Sequence, residues 1–217
     1  MKTAIVLGAS GLTGGLLLKR LLKDESYNLV KVFVRKSLGM NDPKLEEVVC
    51  DLLHLEDQAD KFKGDEVYCC IGTTMKKTPD KKVYYKIDYG IPVAAAKLCT
   101  TNGINTLITV SALGANSKSS IFYNRTKGEM EQSVLAENIR NTYFMRPSFI
   151  GGDRQEKRKG EKIGIAIFKF LQPIMLGPLK KYRLIDADTI AKAMLILAEK
   201  GYEKAYVESN EIQKLAD

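Results

Sequence analysis

A β-branched run, Thr3–Leu7, stops at Gly8 and passes through Gly8-Ala9-Ser10-Gly11-Leu12-Thr13-Gly14 straight into a leucine-rich segment. A strand that turns on glycines into a helix aims backbone N–H groups and the positive end of the helix dipole at one point. That point suits a phosphate. Gly8 and Gly11 let the backbone turn and approach a pyrophosphate, and Gly14 lets the helix pack closely on the sheet. The spacing is GxxGxxG rather than the commoner GxGxxG. The expectation is a dinucleotide site at the first strand-to-helix turn, rather than a tight turn alone.

The rest of the chain repeats the same alternation. Strand candidates are Thr3–Leu7, Leu29–Val34, Glu46–Cys50, Glu66–Ile71, Thr106–Val110, Thr142–Met145 and Ala205–Val207. Helical patterns occupy Leu12–Lys23, Asp88–Thr101, Ser120–Asn138 and Asp188–Lys200. Strands separated by helices build right-handed crossover units, which stack into an open sheet. The predicted fold class is therefore α/β, a single Rossmann-like doubly wound parallel sheet with helices on both faces. All 217 residues form one domain, with a small C-terminal substrate-side extension from about residue 150. That extension reads as a loop made of Gly151, Gly152 and the charged run after them, then an apolar helix from about Lys162, and closes on a helix, a strand and a tail.

Composition narrows the chemistry. His54 is the only histidine, which excludes Ser-His-Asp hydrolases and HExxH metalloproteases. Cys50, Cys69, Cys70 and Cys99 have no CxxC spacing, so no zinc or thioredoxin-type site is expected. The net charge of +8 is scattered along the chain, which makes nucleic acid an unlikely partner. No signal peptide or membrane span is recognised, and a cytoplasmic protein is expected, as monomer or homodimer.

The second strand ends in Arg35-Lys36, with no acid between Glu25 and Asp42. An NAD site wants a carboxylate there for the ribose hydroxyls. Arg35 would instead grip a 2′-phosphate, so NADP(H) is expected in preference to NAD(H). Asp51, after the third strand, either accepts from the adenine amino group or caps the next turn. Ile71-Gly72-Thr73 follows the fourth strand, where glycine lets a ribose approach the backbone. Cys69 and Cys70 should point to opposite faces of the sheet as small buried side chains.

YxxxK occurs twice, but Lys31 of Tyr27/Lys31 lies inside a strand, whereas Tyr123 and Lys127 share one helical face. Ser111 ends the fifth strand at the mouth of the same crevice. A tyrosine acts as proton donor near neutral pH only if its pKa falls from about 10, a change of roughly 3–4 kcal/mol. A lysine ammonium about 5 Å away supplies about 3 kcal/mol of this at an effective dielectric of about 20. Lys127 can also hold the nicotinamide ribose, and Ser111 can polarise the substrate oxygen. Ile150 and Arg158 follow the sixth strand, where an apolar side chain could flank nicotinamide and a cation could reach phosphate.

GASGLTG, Ser111, YNRTK and Arg146-Pro147 in this order resemble the short-chain dehydrogenase/reductase superfamily in its atypical branch. VLGASGLTG, the VRK strand end, CCIGTT, SSxFYxxxKGE and RPxxxxxDRQExR resemble the oxidoreductase-like Tat-interacting protein family, nearly end to end. The resemblance implies NADPH contacts from Ser10, Gly11, Leu12, Thr13, Arg35, Lys36, Ile71, Gly72, Lys127, Ile150 and Arg158, with Tyr123 as proton donor. It implies either an oxidoreductase acting on an unidentified small carbonyl or alcohol, or an NADPH-binding regulatory protein with a protein partner and little turnover. Two departures stand out. Asp88 occupies the helix position where active members often place Asn, and the chain lacks the long substrate lobe of sugar-nucleotide epimerases.

Overall fold

The computed structural model describes residues 1–151 and 177–217. Its main sheet contains β1 (Lys2–Leu7), β2 (Tyr27–Val34), β3 (Leu45–Val49), β4 (Glu66–Cys69), β5 (Thr106–Val110) and β6 (Asn141–Arg146), with β9 (Tyr206–Glu208) at one edge. The order is β3-β2-β1-β4-β5-β6-β9, and every pairing is parallel. The chain winds outward from β1 to β3, returns beside β1 as β4, and winds to the other edge. A crevice opens where the order reverses, beyond the carboxyl ends of β1 and β4. A separate parallel pair, β7 (Ile150–Gly151) and β8 (Ile185–Asp186), lies after β6.

Strand residues alternate between two apolar layers. Ala4 and Val6 join Leu17, Leu18 and Leu21 of α1 (Leu12–Lys23) and Ile190, Met194 and Leu197 of α5 (Ala187–Lys200). Ile5 and Leu7 join Ala95, Leu98 and Cys99 of α3 (Ile91–Thr101) and Met130 and Val134 of α4 (Phe122–Ala136). Cys69 belongs to the second layer and Cys70 packs against the first, 4.0 Å from the Met194 sulfur. On the surface, Arg20 donates to both oxygens of Asp188 at 2.9 and 2.6 Å, tying α1 to α5.

Three elements differ from the sequence expectation. The helix expected from Asp88 begins at α2 (Lys81–Tyr85), where Asp80 accepts from the Lys82 N–H at 2.7 Å. It then passes through a π turn, Lys86–Gly90, before α3. Pro92 accounts for that turn: it has no N–H and its ring crowds the Asp88 carbonyl four residues back. The Ile91 N–H accordingly reaches Lys86, five residues back. The expected tail is a helix, α6 (Ser209–Ala216), opened by a reciprocal Glu208–Glu211 capping box. Gly151 is in a strand rather than a loop because its missing Cβ lets the Leu184 side chain close over it, within 2.8 Å of where a Cβ would stand. The expected charged loop and the apolar helix from about residue 162 lie outside the described residues, save the short 3-10 helix Gly177–Tyr182.

Candidate active site

The glycine turn is built by close approach. Gly8 has φ 85°, and a Cβ on it would sit 2.8 Å from the Cys70 carbonyl at the end of β4. A Cβ on Gly14 would sit 2.3 Å from the Gly8 oxygen. The Gly11 N–H closes the turn onto the Gly8 carbonyl at 2.9 Å. Gly11 is the N-cap of α1 and offers no side chain, so the first N–H groups of the helix are uncapped toward the crevice. Ser10 and Gly11 are exposed, Leu12 is half-buried, and Thr13 and Gly14 are buried.

Arg35 and Lys36 stand exposed at the end of β2. Asp51, after β3, caps the following turn: its carboxylate accepts from the Leu53 N–H at 3.0 Å and lies 3.0 Å from His54 Nδ1. The Leu53 N–H, then His54 and Arg35, hold that carboxyl below its ordinary range. Of the two roles left open for Asp51, capping is the one its carboxylate performs. Ile71 and Thr73 are half-buried, and Gly72 is exposed. A Cβ on Gly72 would look onto Asp88 Oδ1 at 3.6 Å and Lys127 Nζ at 3.9 Å.

The first turns of α4 carry Tyr123 and Lys127 on one face, with Tyr123 40% exposed and Lys127 buried. The Lys127 ammonium lies 3.0 Å from Asp88 Oδ1, and Asp88 Oδ2 accepts from the Thr73 N–H at 2.8 Å. Asp88, set in the π turn, therefore joins α4 to the loop after β4. Burial works against the charged Lys127, but Asp88, Tyr123 and Cys69 outweigh it and raise its pKa. Tyr123 does not follow the sequence expectation. Although the residue as a whole is 40% exposed, desolvation is the largest influence on its phenol and pushes its pKa up rather than down; Lys127 opposes this, and Asp88 adds a smaller rise. The lysine charge is already matched by a carboxylate, so less of it is available to a phenolate.

Ser111 is buried at the end of β5, and its hydroxyl donates to Glu131 Oε1 at 2.6 Å. Glu131 is paired with Arg146 through contacts of 2.8 and 2.5 Å, and Arg146 lies 4.1 Å from the centre of the Tyr206 ring. The single Ser111 proton is thus committed to Glu131 and is not presented to a substrate oxygen. Ile150 is half-buried in β7. Arg158 lies outside the described residues.

Two residues of the site went unassigned at the level of sequence. Asp88 was noticed only as a departure from Asn. Gly128 was part of the KGE motif but given no role, yet a Cβ on it would fall 2.1 Å from the Ser117 nitrogen and 2.2 Å from the Asn116 carbonyl carbon. It lets α4 press against the loop after β5, which the Asn116 N–H secures by donating to the Asn124 carbonyl at 2.9 Å.

Among solved structures, a UDP-glucose 4-epimerase of Thermotoga maritima with UDP-glucose shares the fold at 16% identity and TM-score 0.70, covering 99% of this chain and 81% of the epimerase chain.

 Pal from Bacillus thuringiensis shares the fold at 16% identity and TM-score 0.70, covering 99% of this chain and 82% of the Pal chain. Both likenesses concern the fold alone.

Sequence comparison goes further. A family described as NAD(P)H-binding matches residues 8–149. The mitochondrial protein FMP52 of Candida glabrata is 33% identical over 226 aligned positions, covering 100% of this chain and 96% of the relative. Protein HTATIP2 of Rattus norvegicus is 32% identical over 171 positions, covering 77% of this chain and 70% of the relative. The names of the FMP52 relatives, all mitochondrial, overturn the expectation of a cytoplasmic protein, which rested only on the lack of a recognised leader. Among the described residues no helix is long and apolar enough to cross a membrane. With the strand order, the glycine turn and these relatives together, the chain belongs to the NAD(P)H-binding family, in the atypical short-chain dehydrogenase/reductase group that includes HTATIP2 and FMP52.

Proposed function

We propose that this protein, acting as a single domain, binds NADP(H) in preference to NAD(H) and transfers hydride to or from a small carbonyl or alcohol, with Tyr123 as general acid/base. The observation that carries the reading is the meeting of Lys127, Asp88 and Gly72 beside the glycine turn, at the carboxyl ends of β4 and β5. Two local features fit a dinucleotide: Gly72 leaves an open backbone in front of Lys127, and Gly11 leaves the first N–H groups of α1 without a side-chain cap.

In this reading the backbone from Gly8 to Gly14, with Ser10, Gly11, Leu12 and Thr13, holds the pyrophosphate. Arg35 and Lys36 take the 2′-phosphate, Ile71, Gly72 and Thr73 flank the ribose, Lys127 holds its hydroxyls, and Ile150 and Arg158 close the nicotinamide end. The bound cofactor supplies the hydride. Tyr123 exchanges the proton at the substrate oxygen, and Ser111, through Glu131, keeps the end of β5 in register with α4. The Tyr123→Phe variant tests this. It should lose reduction across a panel of aldehydes and ketones while binding NADPH within about twofold of wild type; undiminished turnover would contradict the assignment.

A second reading, a cofactor-loaded regulatory protein with little turnover, is favoured by the matched Lys127 charge and the committed Ser111 proton. It predicts that NADPH raises the melting temperature by mass action while no carbonyl consumes it.

A further inference from the structure

β2 and β3 stay paired as far as Val34 and Val49, and the Cys50 N–H donates to the Val34 carbonyl at 2.9 Å. The sheet therefore holds the backbone up to the residue before Arg35. Beyond it, Arg35, Lys36 and Ser37 are exposed. The next fixed point is Leu38. Its N–H donates to both carboxylate oxygens of Glu47, at 3.1 and 3.2 Å, and its half-buried side chain packs on the apolar layer of Val32 and Val34. Glu47 stands opposite Val32 in the β2–β3 register, so it lies on that same face of the sheet. Gly39 then turns the chain at φ 64°, its N–H donating to Ser37 Oγ at 3.0 Å. Both cations thus sit on a short span clamped at each end, and Glu47 is the side chain that makes the far clamp.

We propose that Glu47 is a specificity-determining positioning residue: by holding the Leu38 N–H it presets Arg35 and Lys36 for a 2′-phosphate and so sets the preference for NADP(H) over NAD(H). This rests on the reading of the β2 end as the 2′-phosphate site. The charge of Glu47 and its hydrogen bond act in opposite senses. A carboxylate repels a 2′-phosphate, whereas the clamp spares the bound state the ordering of a loose, cation-bearing span, a cost that would otherwise lower affinity. The clamp needs only an acceptor oxygen, so a neutral amide can replace the carboxylate without releasing Leu38. NAD(H) has no phosphate at this position and gains nothing from the preset cations.

The test is a fluorescence titration of NADPH and NADH into the full chain as wild type, Glu47→Gln, Glu47→Ala and Glu47→Val. The Ala and Val variants lack an acceptor; each should weaken NADPH by about fivefold or more and leave NADH within about twofold. Glu47→Gln should keep the wild-type preference within about twofold. A merely structural role would weaken both nucleotides alike, and that result overturns the proposal. So does an unchanged preference in the Ala and Val variants, or a Gln variant that behaves as they do. Amide exchange of nucleotide-free wild type, read by NMR, keeps the proposal testable if neither acceptorless variant folds. The Leu38 amide should exchange at least about tenfold more slowly than an unprotected one, and exchange at the free-chain rate overturns the proposal. The wild-type titration separates the two levels: no preference for NADPH overturns the cofactor reading and this one together, whereas a preference that survives in Glu47→Ala overturns this one alone.

Discussion

Lys127 Nζ lies 3.0 Å from Asp88 Oδ1, and their side chains are 4% and 1% exposed. Two opposite charges so deeply buried stabilise each other chiefly because neither can be left alone. Replacing Lys127 with Met strands the carboxylate and should lower unfolding stability by about 3 kcal/mol. Removing both charges, as Lys127→Met with Asp88→Asn, should recover most of that loss in a urea melt. Equal destabilisation by the single and the double variant would show that the pair contributes no coupling.

Gly128→Ala should be more damaging than an ordinary helical Gly→Ala change, which usually favours a helix by about 1 kcal/mol. The added Cβ would stand 2.1 Å from the Ser117 nitrogen, with backbone on the other side of the contact. The helix must shift or the loop must open, at a cost of about 1–3 kcal/mol. Circular-dichroism melts should show the loss together with weakened NADPH binding; a melting temperature at or above wild type would contradict the packing.

The sheet and the glycine turn were legible because their signals are local. Thr106–Val110 and Leu12–Lys23 have the expected bounds, since β-branching and leucine spacing act within a few residues. Charge matching was not. Lys127 meets Asp88 across 39 positions, and only the fold decides that the lysine faces a carboxylate before it faces Tyr123. The early start at α2 was not legible because the helical run continues past Pro92 only through the π turn, which has no signal in residue spacing. Glu208 and Glu211 did carry the capping signal for α6, in a form using Glu where Ser or Thr is usual.

The buried thiols set an alkaline limit on stability. Burial pushes Cys69 up to about 11 and Cys99 up to about 12, from an ordinary value of 9.0. The folded state keeps these protons while the unfolded chain releases them, so stability is full below about pH 9 and falls as pH rises toward 11 and 12. Each thiol contributes a slope of up to about 1.4 kcal/mol per pH unit in that window. Denaturant melts from pH 8 to pH 11 should show the decline, and Cys69→Ala should flatten it (pH values at about one-unit steps suffice). A pH-independent midpoint would contradict it.

The central claim is that the glycine turn and the β2 end form an NADP(H) site. Fluorescence titration of NADPH and NADH into wild type and Arg35→Ala tests it most directly. The account predicts saturable binding of NADPH, at least about tenfold tighter than NADH, with Arg35→Ala erasing most of the difference by weakening NADPH alone. No saturable binding of NADPH, or NADH binding as tightly as NADPH, would contradict it.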